Sequence, residues 1–135
     1  MRTHIGLKVL SILCAAIAPV VGAAVAVDAD DIGGVVTGPR GPEAGVWVIA
    51  ETDAFGTRYA KIVVTDDAGQ FVVPDLPVAT YKVWVRGYGL ADSAAVTAAP
   101  GRTVDLKATT APDAKTAAKV YPAAYWYAML KLPSD

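Results

Sequence analysis

The sequence is poor in the residues that do most acid–base and nucleophilic work: one histidine (His4), one cysteine (Cys14) and no asparagine. Both His4 and Cys14 stand in the first 26 residues. An imidazole-activated Ser or Cys, a His-ligated zinc and a Cys-x-x-Cys-His haem attachment all need residues that the rest of the chain lacks. The missing asparagine excludes the Lys–Asn cross-link that reinforces some pilin and adhesin sandwiches. A single cysteine also forms no disulfide within the chain, so the fold stands on its core. Neither sign of charge dominates, with 12 Lys+Arg against 13 Asp+Glu. No basic excess is available to follow a phosphate backbone, which excludes nucleic acid as a partner.

The longest uncharged apolar run is at the start. Arg2 and Lys8 are the only cations before Asp28, and between them and that aspartate runs an uncharged stretch, Val9 to Val27, that ends in small residues. A positive start, an apolar middle and the small-x-small exit Ala24-Val25-Ala26 read as a secretory signal over residues 1–26, cleaved after Ala26. The stretch also reaches the roughly 20 residues of a bilayer span, but Pro19 and the Ala/Gly-rich end favour cleavage over an anchor. Cleavage implies export to the periplasm or the extracellular space, without stable membrane insertion afterwards. Cys14 lacks a small residue before it and is not read as a lipid-attachment site. Removing Arg2 and Lys8 leaves 10 basic against 13 acidic groups, a net charge of −3.

From Ile32 onward, short β-rich runs alternate with Gly, Pro and Asp, as in an all-β sandwich. Seven strands are expected: Ile32–Thr37, Val46–Thr52, Arg58–Thr65, Gln70–Val73, Thr80–Arg86, Ala94–Ala98 and Thr103–Ala108. Turn chemistry fills the gaps, as in Gly38-Pro39-Arg40-Gly41-Pro42, Asp66-Asp67-Ala68-Gly69 and Pro74-Asp75-Leu76-Pro77. The carboxylates of Asp28, Asp30, Asp31, Asp66 and Asp67 would suit a hard cation. Asp before Gly is ordinary turn chemistry, however, and the spacing has no EF-hand pattern. Gly87-Tyr88-Gly89-Leu90 mimics the start of a dinucleotide fingerprint, but it lacks the third glycine and the helix, and reads as a loop.

Five fragments in order carry a resemblance: Ile32-Gly33-Gly34-Val35-Val36, Gly45-Val46-Trp47-Val48, Thr65-Asp66-Asp67-Ala68-Gly69-Gln70-Phe71, Asp75-Leu76-Pro77, and Tyr81-Lys82-Val83-Trp84-Val85 with Gly87-Tyr88. Together they resemble the carboxypeptidase regulatory-like domain, which implies a seven-stranded transthyretin-like β-sandwich over residues 27–111. Ala79 departs from the glycine usual before the Tyr of the next strand. The family's modules are non-catalytic and attached to secreted enzymes, receptors and surface proteins. The resemblance therefore implies an exported module for assembly or recognition, not an enzyme and without a cofactor. It also implies that the chain can be the N-terminal module of a larger protein, with a protein partner or a downstream domain as its contact.

Strand alternation sends Tyr81, Val83 and Val85 to the core face and Lys82, Trp84 and Arg86 outward. By the same rule Val46, Val48 and Ala50 point in, and Trp47, Ile49 and Glu51 point out. Outward tryptophans are unusual. Trp47, Trp84, Arg86 and Tyr88 are therefore the candidate ligand or docking surface, and a carbohydrate-binding module that uses the same residues is the alternative. Residues 112–135 form a helical C-terminal docking segment, with Asp113–Val120 followed by an aromatic helix after Pro122. That helix, which carries Tyr125, Trp126, Met129 and Leu130, is apolar nearly all round and must be buried. It docks on Trp47 and Trp84, in a partner, or against a following domain.

Overall fold

The computed structural model describes residues 25–120 and Leu130. In chain order the strands are β1 (Ile32–Gly38), β2 (Gly41–Pro42), β3 (Trp47–Thr52), β4 (Tyr59–Val64), β5 (Gln70–Val73), β6 (Tyr81–Arg86), β7 (Leu90–Ala91), β8 (Val96–Ala98), β9 (Arg102–Lys107) and β10 (Thr109–Thr110), before a short helix α1 (Ala114–Ala118). The seven longer strands coincide, to within a residue or two, with the seven expected. The other three have two residues each and leave too little alternation to be seen in the sequence.

The architecture is all-β, with two main sheets. In the first, β1 is central: β5 and β2 pair antiparallel along one edge, and β9 runs parallel along the other. Val36 shows how β5 and β2 share an edge, since its N–H donates to Gly69 O (2.8 Å) and its carbonyl accepts from Glu43 N (2.9 Å). The second sheet is antiparallel in the order β4-β3-β6-β8. A small ladder of β7 with β10 stands beside them. Between the sheets lie Ile32, Val36, Phe71, Val73 and Leu106 of the first and Val48, Ala50, Tyr81, Val83 and Val85 of the second, all buried. These are the period-2 positions of each strand, so the alternation in the sequence becomes the core.

Three local devices set the frame. At the β4–β5 turn, Asp66 Oδ1 accepts from Ala68 N (2.9 Å) and Gln70 N (2.7 Å), with Gly69 in the left-handed region. Buried Thr65 donates its hydroxyl to Glu43 O (2.7 Å) and accepts from Val46 N (3.1 Å), which ties the β2–β3 connection to the end of β4. At Gly34, β1 and β9 approach so closely that a Cβ would lie 1.8 Å from Val104 O.

The helix-forming run narrows to α1, capped by Asp113, whose Oδ1 accepts from Thr116 N (2.7 Å). The aromatic helix expected after Pro122, including Tyr125 and Trp126, lies outside the described residues, as do residues 1–24 of the expected signal. Next to the expected cleavage point at Ala26, the side chains of Val25 and Val27 rest over Gly33 of β1. Among the described residues no helix is long and apolar enough to cross a membrane.

Candidate functional site: the outer face of the second sheet

Cross-strand pairing decides which outward side chains meet. On β3 and β6 the opposed pairs are Trp47 with Arg86, Ile49 with Trp84, and Glu51 with Lys82; on β3 and β4 they are Trp47 with Val64, Ile49 with Ile62, and Glu51 with Ala60. Directly opposed residues share a face. The two tryptophans therefore lie on one face of one sheet, diagonally placed, in a row order that sequence alone leaves open. The face grades from apolar at the Val64–Trp47 end to charged at the Glu51–Lys82 end.

Ile62 and Val64 are 59% and 56% exposed, whereas Ile49 on the same face is only 6% exposed. Alternation correctly points Ile49 outward but misses this burial, at a position between Ile62 of β4 and Trp84 of β6. A groove of about 310 Å³ follows this line, formed by Trp47, Ile49, Ile62, Arg86 and Val120.

The rings are held, not loose. Trp47 and Tyr88 meet edge to face, with centroids 5.3 Å apart at 64°. The Arg86 guanidinium lies 4.8 Å from the centre of the Trp84 ring. That guanidinium is also clamped by Asp92, with Nε to Oδ1 at 2.8 Å and Nη2 to Oδ2 at 2.6 Å. The sequence offers Arg86 as a donor to a ligand; in the structure its forked face is turned to Asp92, at the far side of the loop that carries Tyr88.

The ion pair fixes both ionisations. The hydrogen bonds from Arg86 hold the Asp92 carboxyl below its usual range against opposing partial burial, and Asp92 raises the Arg86 value. A depressed carboxylate contributes stability above its unfolded value, about pH 4, and loses it as the pH falls through the lower folded value. Both side chains are more than one-third exposed, so screening keeps the effect small. Asp92→Asn is expected to cost no more than about 1 kcal/mol at pH 7. The gap to the parent should close in acid, and urea titrations at pH 7 and pH 3 check both statements.

Other polar groups are engaged in the frame. Ser93, next to Asp92, accepts from Val85 N (2.9 Å) and donates to Ala94 O (3.1 Å). Asp31 accepts from Asp75 N (3.1 Å) and Asp28 N (3.3 Å). Among the described residues no three His, Cys, Asp or Glu side chains group as a metal site would need. At the charged end of the face, Glu51, Asp53, Arg58, Lys82 and Thr97 line an open polar cleft of about 550 Å³. Within it Arg58 is paired with Glu51, which raises the Arg58 value. That cleft offers no unpaired buried group to orient a ligand; the apolar end, with its two tryptophans, is the stronger candidate. No protein-family model and no curated protein matches the chain.

Proposed function

We propose that this protein is an exported, non-catalytic module of the transthyretin-like kind, and that it assembles with a protein partner or a neighbouring domain through the outer face of its second sheet. The observation that carries the reading is the continuous apolar end of that face: Trp47, Ile49, Ile62 and Val64 side by side on adjacent strands. A domain that worked alone in water would gain by placing polar residues there. The resemblance to the carboxypeptidase regulatory-like domain and the correspondence of its seven expected strands with the seven longer strands support the family reading. The engaged state of Ser93, Asp92 and Glu51 supports a role without catalysis.

The glycan alternative draws less support from the geometry. A sugar-stacking platform wants rings that share a plane, and Trp47 and Tyr88 are steeply inclined to each other, while Arg86 lies over the Trp84 ring.

The test is in-cell photo-crosslinking with a photoreactive phenylalanine at Ile62, and at exposed Lys107 of β9 as the control. The expected result is an adduct heavier than the chain at position 62 and none at 107. Products of monomer mass at both positions in the exporting cell would overturn the reading.

A further inference from the structure

We infer that the open edge of β4 pairs with the same strand of a second copy of this chain, antiparallel about a two-fold axis at Ile62, so that two four-stranded sheets join edge to edge. The inference uses the backbone at a sheet edge and goes beyond the partner proposed for the outer face; either can hold without the other.

The direction of the backbone groups along β4 follows from bonds on the far side of the sheet. Val85 N donates to Ser93 Oγ (2.9 Å) and Val85 O accepts from Ser93 N (3.0 Å), so both groups point away from β3. Opposed residues of an antiparallel pair alternately exchange both hydrogen bonds and none. Val48, opposed to Val85 on one side and to Val63 on the other, therefore bonds to Val63. Thr65, two residues on, agrees: its N–H donates to Val46 O (3.0 Å). Tyr59, Lys61 and Val63 thus turn their N–H and C=O groups to β3, and Ala60, Ile62 and Val64 turn theirs to the open edge.

The sheet edges among the described residues differ in how they are guarded. β8 has three residues, β5 has four, and β9 carries Arg102, Asp105 and Lys107. Short strands and charge are the usual devices against edge pairing. β4 has six residues without Gly or Pro, and its edge-directed Ala60, Ile62 and Val64 are apolar and exposed. Its one charge, Lys61, lies on the inner side and is already bound within its own chain, Nζ donating to Pro74 O (2.6 Å). Val25 lines a pocket with Val64 at the end of the strand, while Ile62 at its middle is 59% exposed.

Charge decides the register. Extending the sheet with its inner face still inward requires that residues pointing the same way be opposed. The symmetric pairings that use most of Tyr59–Val64 then place Lys61 or Ile62 on the axis. Lys61 on the axis would set like charges directly opposite, which is destabilising. With Ile62 on the axis, Ile62 meets the partner's Ile62, Ala60 meets the partner's Val64 and Lys61 meets the partner's Val63. No like charges are opposed, and every edge-directed residue finds a hydrogen-bonding mate.

Sedimentation of the full chain over a dilution series tests this. The expected species is a dimer at high concentration that dissociates on dilution. Ile62→Pro removes an N–H that points to the open edge, a place where edge strands admit proline, and should weaken the dimer about tenfold or more. Ile62→Thr keeps the N–H and the strand propensity and should still dimerise. A monomer at every concentration, or a dimer that Ile62→Pro leaves as tight as before, would overturn the inference; loss of the dimer in Ile62→Thr would move the contact to the side-chain face and overturn it too. NMR of the unaltered chain keeps the test open should the proline variant misfold. The α-protons of Lys61 and the partner's Val63 face each other as a non-hydrogen-bonded pair, whereas residues two apart in one strand are about 6.8 Å apart. An α-proton contact between Lys61 and Val63 that fades on dilution is expected, and its absence from the dimer would also overturn the inference. In the crosslinking experiment above, an adduct of twice the chain mass reports this dimer and one of any other mass reports a different partner, so the two readings fail separately.

Discussion

Replacing Gly34 with alanine is expected to cost more than the roughly 1–3 kcal/mol typical of an overpacked core, a large share of a total stability of about 5–15 kcal/mol. The added methyl would lie 1.8 Å from Val104 O, 2.8 Å from Val104 C and 3.2 Å from Cε1 of Phe71. Two of the three obstacles are backbone in the paired strand β9, and no rotamer change moves them. Relief requires β9 to shift away from β1 along their parallel ladder, on which Val36 and Leu106 meet in the core. Gly33→Ala is the control, because its methyl meets the Val27 side chain at 2.5 Å and Phe71 O at 3.2 Å. A valine near the chain start can swing aside, so the expected loss is on the order of 1 kcal/mol. Urea unfolding followed by tryptophan emission compares the two, and equal midpoints would show that the β1–β9 pairing is wrong.

The second large effect belongs to Tyr81. Its ring is fully buried between the sheets, edge to face with Tyr59 at 6.2 Å, and its hydroxyl donates to Pro77 O at 2.7 Å. The bond ties the loop before β6 to the strand it introduces. Tyr81→Ala is expected to cost about 3–5 kcal/mol, as for other large aromatic truncations. Tyr81→Phe keeps the ring and removes the hydrogen bond, for about 1 kcal/mol. Burial, reinforced by Tyr59, raises the phenol above its ordinary value. A raised phenol gives stability that is fully present below about pH 10 and is lost as the pH climbs through the folded value. Tyr81→Phe should therefore lose part of the alkaline sensitivity of the parent, which thermal melts at pH 8 and above will show. A variant as alkali-sensitive as the parent would mean that Tyr81 is not the group that titrates.

The sequence discloses the strands and their faces because both follow from local rules. The inward set Tyr81, Val83, Val85 and the outward set Lys82, Trp84, Arg86 are fixed by the pleat, and the burial along β6 agrees. Partners are a different matter. Nothing local in Ile32–Gly38 indicates that it will pair in parallel with residues near 102–107, nor that Trp47 will lie diagonal to Trp84, since both depend on strand order. The clamp of Asp92 on Arg86 is hidden for a related reason: they stand six positions apart across a tight loop, and only the loop's course brings guanidinium and carboxylate together. Ile49 marks the limit of alternation itself, which gives the direction of a side chain but not how much of it the rest of the fold encloses.

The parallel pairing of β1 with β9 has a consequence for the order of events. The central strand of the first sheet is made early, yet one whole edge of it stays open until a segment about 70 residues later arrives; the contact of Thr37 with the carbonyl of Leu106 spans 69 positions. Contacts this distant in sequence slow folding, because the loop must close before the ladder returns any stability. A chain threaded through a membrane channel from its amino terminus could pair β1 with β2 and β5 but would hold its other edge open until nearly all of the domain had emerged. On the proposed route of export, the topology itself would delay folding until the channel had been cleared.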